Sequence, residues 1–511
     1  MPKAYIKKKI KEIAIKQKER MKLGLEEHII ENIISVLEQY PKVDKAFVIG
    51  SRAKGNYRPD SDIDIAIKGN QIATDDIITL SVAFETKCIT PKFDLIDYNS
   101  IEEPALREHI DRVGVEFYSR WKEYRFSELL IDESISYGIV QPGTHTEINS
   151  VPIIRVNNIK NGNIITDEIM KVSSSIENKY LRTRLVGGEL LITVVGSVGE
   201  CAIVPENLKG WNVARAVSVA RIKKEFDVKF IKYAFKTDGI IFQMYGNTND
   251  TVQPTLNLSL LKDLKFTLPS FSEQTTIASI LSSLDDKIDL LHRQNKTLEQ
   301  LAETLFRQWF VEESDESWEV GTLDDVISVK GGTTPSTSKS EYWDGNINWT
   351  SPRDLSNARS IFLFNTERKI TEKGLAQIGS GLLPIGTVLL SSRAPIGYLA
   401  ITEIPVAINQ GYIAIVCDKI ISNYFIYLWC KANMETIENA GNGSVFQEIS
   451  KTSFKGLEVI IPSVEKHNHF DKEISPIFKK IKSNQTQIRT LTQTRNTLLP
   501  KLMSGEVRVK I

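Results

Sequence analysis

Cysteine is scarce in this chain of 511 residues: Cys88, Cys201, Cys417 and Cys430 are the only four, and no two stand in a CxxC spacing. That excludes a disulfide-stapled framework and a cysteine-built zinc site, and it fits a reducing, cytoplasmic setting. Long apolar runs are missing too. None approaches the ~20 residues of a membrane helix, and the N-terminus lacks an apolar stretch with a cleavage site, so no membrane partner is expected. Net charge is absent, since 64 Lys and Arg balance 64 Asp and Glu. Global charge therefore announces no nucleic-acid binder, and any such affinity must come from local patches or from partner subunits. A phosphate loop of the GxxxxGK[ST] type is lacking. The nearest stretch, GIVQPGTH from Gly138, has no lysine to reach a phosphate. His467 and His469 form a lone HxH with no third ligand near in sequence, which reads as surface rather than metal site.

What is present is a plan stated twice. Trp121 opens WKEYRFSELL and Trp318 opens WEVGTLDDVI, 197 positions later. LVGGELLITVVGSVGECAIV from Leu185 realigns at the same offset with LLPIGTVLLSSRAPIGYLAI from Leu382. LPSFSEQ at Leu268 then matches IPSVEKH at Ile461, and each leads into a long heptad stretch. Ile277, Leu281, Leu284, Ile288, Leu291, Asn295, Leu298, Ala302, Leu305 and Trp309 alternate steps of four and three. Phe470, Ile474, Ile477, Ile481, Asn484, Ile488, Leu491, Arg495, Leu498 and Leu502 follow the same steps. Ten positions in step make a coiled-coil seam roughly 50 Å long. Each seam holds one Asn. Antiparallel packing with aligned ends sets Asn295 against Asn484 and Trp309 against Phe470, whereas parallel packing leaves a buried amide facing Ile488 at a cost of about 1–3 kcal/mol. The antiparallel arrangement is therefore expected.

The expected fold class is α+β and multidomain. A Lys-rich basic leader covers 1–24, unless Met21 is the true start, and a small α/β segment covers 25–119. Mixed strand-rich segments at 120–268 and 315–461 are each followed by a helix (271–313 and 464–503), and a tail closes the chain at 504–511.

The repeated part, about Trp121 to Ile511, resembles the specificity subunit of type I restriction-modification systems. The resemblance rests on the order of segments and on LPSFSEQTTIASILSSLDDKIDLLHRQNKTLEQLAETLFRQWF, GSVGECAIV, RAPIGYLAI, NVARAVSVARI against INQGYIAIVC, and NTLLPKLMSGEV. It implies that each strand-rich segment is a target-recognition domain reading half of a bipartite, asymmetric double-stranded DNA site, with the helices as a ruler. It also implies two modification (methyltransferase) subunits that bind S-adenosylmethionine, a restriction/translocase subunit, and a role in phage defence. A rod of roughly 50 Å suits half-sites somewhat more than one DNA turn of about 34–36 Å apart. No NPPY-type methyl-transfer motif occurs, so this part reads as a non-catalytic binding module without a cofactor of its own. Arg155, Asn157, Asn158 and Lys160, with Arg353 and Asp354 in the second half, follow strand-like runs and suit base-edge or phosphate contacts; solvated turn residues would look the same.

The N-terminal segment carries different chemistry. KAFVIGSRAKGNYRPDSDIDIAI runs from a strand into Gly50-Ser51, then into a second strand bearing Asp62 and Asp64. Period two puts both carboxylates on one face. Gly50 lets the backbone approach phosphates, and Ser51, Arg52 and Lys54 supply donors. A third strand, KFDLID, offers Asp94, with Asp97 the second choice. The stretch from Leu25 to Phe117 resembles the minimal nucleotidyltransferases of the polymerase-β-like superfamily. By that resemblance Gly50, Ser51, Arg52 and Lys54 bind the triphosphate of a nucleotide such as ATP, while Asp62, Asp64 and Asp94 hold Mg²⁺ and form the catalytic triad. Two readings stay open. The chain is a DNA-specificity subunit carrying a nucleotidyltransferase domain, or it is an AMP-transferring nucleotidyltransferase, of defence or antitoxin type, tethered by its specificity-like half.

Overall fold

The computed structural model describes residues 23–40, 42–69, 72–87, 92–246, 255–314, 318–356, 360–393, 395–441 and 447–509. Cys88 and the leader up to Lys22, Met21 included, lie outside the described residues. The chain divides into two compact units, one of Met1–Ser283 with Asn496–Ile511 and one of Leu284–Arg495.

The first unit opens with a small α/β layer. In chain order its elements are α1 (Glu27–Leu37), β1 (Val43–Val48), α2 (Gly50–Lys54), β2 (Ile63–Gly69), α3 (Thr74–Thr86), β3 (Phe93–Asp97), α4 (Pro104–Val113) and β4 (Val115–Ser119). The sheet order is β3-β2-β1-β4, with β2 and β3 parallel and the other neighbours antiparallel. Alternation along β2 sets the site: Ile63, Ile65 and Ile67 are fully buried, joining Ile33, Leu37, Leu80 and Phe84 in one core. Asp64, between two of them, turns to the other face. From the other end of the chain, Arg508 reaches Asp44 in β1 at 2.7 Å and buried Glu273 at 3.9 Å.

Each repeated segment closes on itself by pairing its first strand with its last. Lys122–Arg125 lies antiparallel to Lys265–Leu268, and Glu319–Thr322 antiparallel to Glu458–Ile461. Inside, both hold the same two layers. A three-stranded layer centres on Ser150–Ile154 in one and Trp343–Thr350 in the other. Each centre strand has an antiparallel neighbour (Met170–Ser173 or Arg368–Ile370) and a parallel one (Asn212–Val213 or Ala407–Ile408). The second layer runs Cys201–Ile203, Leu190–Thr193, Val217–Ile222, Leu130–Tyr137. Its counterpart runs Ile396–Thr402, Val388–Ser392, Tyr412–Val416, Ser328–Gly331, with Phe362–Leu363 added at the edge. The central strands Leu190–Thr193 and Val388–Ser392 are buried at every position, as strands covered on both faces are, with the apolar starts LLI and VLL followed by small hydroxyl residues.

Two small devices recur at matching places. A Cβ on Gly138 would stand 2.0 Å from the Val213 carbonyl oxygen, and one on Gly332 would stand 1.9 Å from that of Ile408. Only glycine allows these backbones so close. The fully buried Thr193 and Ser391 hydroxyls clamp the loops that follow them: the Thr193 hydroxyl accepts from the Glu200 amide at 3.0 Å, and the Ser391 hydroxyl accepts from the Tyr398 amide at 2.8 Å.

The long helices are α5 (Phe271–Arg307) and α6 (Val464–Met503), roughly 55 and 60 Å at 1.5 Å per residue. They run antiparallel in the expected register. Asn484 Nδ2 donates to Asn295 Oδ1 at 2.9 Å, both residues buried, and the Trp309 and Phe470 rings lie 5.7 Å apart. Arg495, in the seam by sequence, meets Asp285 at 2.7 Å. The seam's ends are not free-standing. Ala302, Phe306, Phe470 and Ile474 belong to the core that holds Phe425 and Ile426, while Ile277, Leu281 and Leu502 belong to the core that holds Phe126 and Phe230.

Candidate functional sites: a carboxylate cluster and two exposed turns

In the N-terminal layer the parallel register of β2 and β3 places Asp64 directly beside Asp94, and Asp62 immediately precedes β2. The Asp64 carboxyl is pushed above the ordinary aspartate value, first by burial and then by the charges of Asp94 and Asp62. Gly50 adopts φ +67°, and a Cβ there would lie 2.0 Å from Asp64 Oδ2. The Gly50-Ser51 turn is therefore pressed against the carboxylate face, as the Ile49 amide bonding to the Asp64 carbonyl at 2.8 Å also requires. Among the described residues no three His, Cys, Asp or Glu side chains close into a ready metal cage. The donor set still fits a hard divalent cation: oxygen ligands on neighbouring strands, one of them strained by the charge of the other two. Ser51 is half-buried and Lys54 exposed. Asp97 is spent as a cap, accepting from the Asn99 amide at 3.0 Å.

Arg52 does not take the phosphate-binding role expected of it. It is 2% exposed, and its guanidinium donates to the carbonyls of Leu23, Gly24, Pro59 and Ser61. A planar five-donor fork is what it takes to tie so many backbone oxygens at once, so Arg52 fastens the approach to α1 and the loop before β2 instead.

In the first repeated segment a cleft of about 730 Å³ is lined by Arg155, Asn157, Lys160, Ser197, Glu200 and the turn at Ala214 and Ala216. Asn157 and Lys160 are exposed. Arg155 gives one donor to the Glu168 carbonyl at 3.3 Å, and its buried Nε has no partner. Asn158 is no base reader. It is buried, its Oδ1 accepts from the Arg155 amide at 2.9 Å, and its Nδ2 donates to the carbonyls of Ile165 and Glu168. In the second segment Asp354 does the same work, accepting from the Ser351 amide at 2.9 Å and the Glu367 amide at 2.8 Å. Asn157 and Arg353 thus stand exposed one position before matching clamps, Arg353 with Glu367 3.6 Å away.

Comparison with known proteins follows this geometry. The profile for the type I restriction modification DNA specificity domain matches residues 121–300 and again 315–498. The chain belongs to this specificity family. The profile for the polymerase beta nucleotidyltransferase domain matches residues 31–123, so this family member also carries a nucleotidyltransferase domain at its N-terminal end. The MjaIX specificity subunit of Methanocaldococcus jannaschii is 36% identical over 187 residues, which span 36% of this chain and 43% of that relative's own length. The HindI specificity subunit of Haemophilus influenzae is 24% identical over 341 residues, 52% of this chain and 74% of that one. A crystal structure of a type I S subunit from M. genitalium covers 76% of this chain and 96% of its own, at 17% identity and a TM-score of 0.49.

His467 is buried rather than on the surface. Its ring accepts from the Ser422 amide at 3.2 Å and faces Asp471 at 3.5 Å, and burial holds its pKa below the ordinary histidine value. His469 is exposed and meets the Trp309 ring edge-on at 5.0 Å. The pair therefore faces two environments and forms no joint metal site. Glu177, which no motif or spacing marks, is fully buried, receives the Arg184 guanidinium and the Asn212 side-chain amide, and so fixes the short parallel strand beside the cleft. No helix among the described residues is long and apolar enough to cross a membrane.

Proposed function

We propose that this member of the specificity family reads a bipartite, asymmetric double-stranded DNA sequence, one half-site per repeated segment, with α5 and α6 as the ruler between the readers. Two modification subunits, which bind S-adenosylmethionine, dock on it together with a restriction/translocase subunit. The observation that carries this reading is the duplication itself: the same strand order and the same clamps occur twice, with different exposed side chains at equivalent turns. One reader built twice with different tips suits two unlike half-sites. Exchanging residues 120–268 for the corresponding segment of another family member should change one half-site of the methylation pattern. A change in both halves would defeat the modular reading.

The N-terminal domain is proposed to be a Mg²⁺-dependent nucleotidyltransferase. Asp62 and Asp64, with Asp94, would hold the metal, which when bound offsets phosphate charge and favours ionisation of the attacking hydroxyl. Gly50 and Ser51 give the triphosphate room and a donor, and Lys54 adds a cation at the rim. An acceptor hydroxyl attacks the α-phosphorus, the new P–O bond replaces the bond to pyrophosphate, and a carboxylate of the cluster takes the hydroxyl proton. Asp94 suits that task because it is exposed at the edge of the cluster, beside Asp64. In Asp62→Ala/Asp64→Ala, ATP binding and nucleotidyl transfer should vanish while DNA recognition survives. Failure of the wild-type chain to bind ATP with Mg²⁺ or Mn²⁺ would overturn this assignment and leave the DNA reading untouched.

A further inference from the structure

Resting on that DNA-reading function, we propose that Arg215 and Gln410 are paired specificity-determining residues, Arg215 reading a guanine in one half-site and Gln410 an adenine in the other. The backbone makes them equivalent. The Ala214 amide donates to the Ile154 carbonyl at 2.9 Å, and the Asn409 amide donates to the Thr350 carbonyl at 3.0 Å. Each bond closes the short parallel pairing of its three-stranded layer, and the next residue in each case is the exposed tip of a tight turn.

Both turns are built to hold still. In the first, the Arg215 amide donates to the Ile139 carbonyl at 2.9 Å and the Val217 amide to that of Ala214 at 2.9 Å. Buried Asn212, held by Glu177, anchors the strand below. In the second, Asn409 Oδ1 accepts from the Gly411 amide at 2.9 Å, and the Tyr412 hydroxyl donates to the Ser351 carbonyl at 2.7 Å. Gly138 and Gly332 admit the close backbone approach under each turn. A fixed turn spares the backbone share of the ordering cost when its tip engages a ligand, leaving only the tip's side chain to be immobilised.

The chemistry differs where the shape does not. A guanidinium offers the two parallel donors that match guanine O6 and N7, and a carboxamide offers the acceptor and donor that match adenine N6 and N7. No carboxylate forms an ion pair with Arg215 among the described residues, and Ala214 and Ala216 on either side of it line the cleft with Arg155, Asn157 and Lys160. Gln410 Oε1 accepts from the Thr334 hydroxyl at 2.7 Å. That bond orients the amide and leaves a second lone pair and both N–H donors for a base edge. Exposed Lys160 and half-occupied Arg155 suit phosphates, which position the protein without reading sequence.

The test is selection of bound duplexes from a randomised double-stranded library by the full chain assembled with its modification subunits at fixed salt, scored separately for each half-site. Arg215→Ala should flatten one guanine position by about tenfold to a hundredfold and leave the other half-site unchanged. Arg215→Lys should keep affinity but lose the same preference, because an ammonium lacks the paired donors. Gln410→Ala should flatten one adenine in the other half-site, and Gln410→Arg should move that position toward guanine. Unchanged motifs, or a uniform loss of affinity for every duplex, would overturn the assignment while the bipartite reading stands. A wild-type chain that enriches no bipartite motif would overturn that reading and this inference together.

Discussion

The two repeated segments share a strand order and hold it with different chemistry. In the first, the three-stranded layer has a small apolar core of Ile139, Ile153 and Val172, supplemented by Glu177 with Arg184 and Asn212. In the second, the same layer is packed by Trp343 and Trp349, rings 5.1 Å apart and edge to face, with the Arg368 guanidinium 3.5 Å over Trp343. A buried carboxylate paired with a half-exposed arginine in one segment, and an aromatic pair in the other, solve the same problem, fixing the short parallel strand that leads into the exposed turn. Duplicated architecture therefore constrains where the backbone goes more strictly than which forces keep it there. The tips, which carry no packing, are free to diverge furthest.

The largest expected effect breaks the second segment alone. Trp343 is 6% exposed, and Trp343→Ala removes its stacking with Trp349 and Arg368. It should cost about 3–5 kcal/mol, seen as lost hydrogen-exchange protection in 343–370 while 150–173 keeps its protection. Equal loss in both stretches would show that the segments do not stabilise themselves separately. Next comes the element to which each half contributes one amide. Asn295→Leu should cost about 1–3 kcal/mol by leaving buried Asn484 only its longer 3.5 Å contact with Gln294, whereas Asn295→Leu/Asn484→Leu should recover stability and lose unique register, read from cross-linking of cysteine pairs along the seam. The smallest effect sharpens the comparison by pH. The Arg184 hydrogen bond holds the Glu177 carboxyl below its ordinary 4.5, with the Asn212 bond acting the same way against desolvation. A depressed carboxylate contributes stability above its unfolded value and loses it as pH falls through the folded value. Protection of 150–213 should therefore weaken below about pH 4.5, and Glu177→Gln should weaken it already at pH 7 and flatten the acid dependence. An unaltered acid profile in that variant would remove Glu177 from the account.

Much of this was legible in the chain. Offsets between the halves, the heptad steps and one Asn per seam fixed the duplication and the antiparallel register, because periodicity and the cost of a buried unpaired amide are local or pairwise properties. The spacing from Gly50-Ser51 to Asp62 and Asp64 pointed to the carboxylate face, since strand geometry alone puts alternate side chains together. Arg495 was visible as a charged residue in an apolar seam, but Asp285, its partner, was not.

Which polar side chains are already spent is settled by long-range packing. Arg52 and Lys54 read alike, two cations beside a glycine turn, yet one donates to four backbone carbonyls and the other stands in solvent. Asn157 and Asn158 are adjacent and identical in type, and burial gave the second to the turn while leaving the first exposed. Arg215 and Gln410 lie in the matched stretches NVARAVSVARI and INQGYIAIVC, yet nothing there marked them as exposed tips, because their equivalent placement depends on a parallel strand pairing between residues some 60 positions apart. A sequence states which donors and acceptors a chain possesses. Whether a given one faces a carbonyl or the solvent depends on partners brought in from a distance, and that is settled only when the chain has folded.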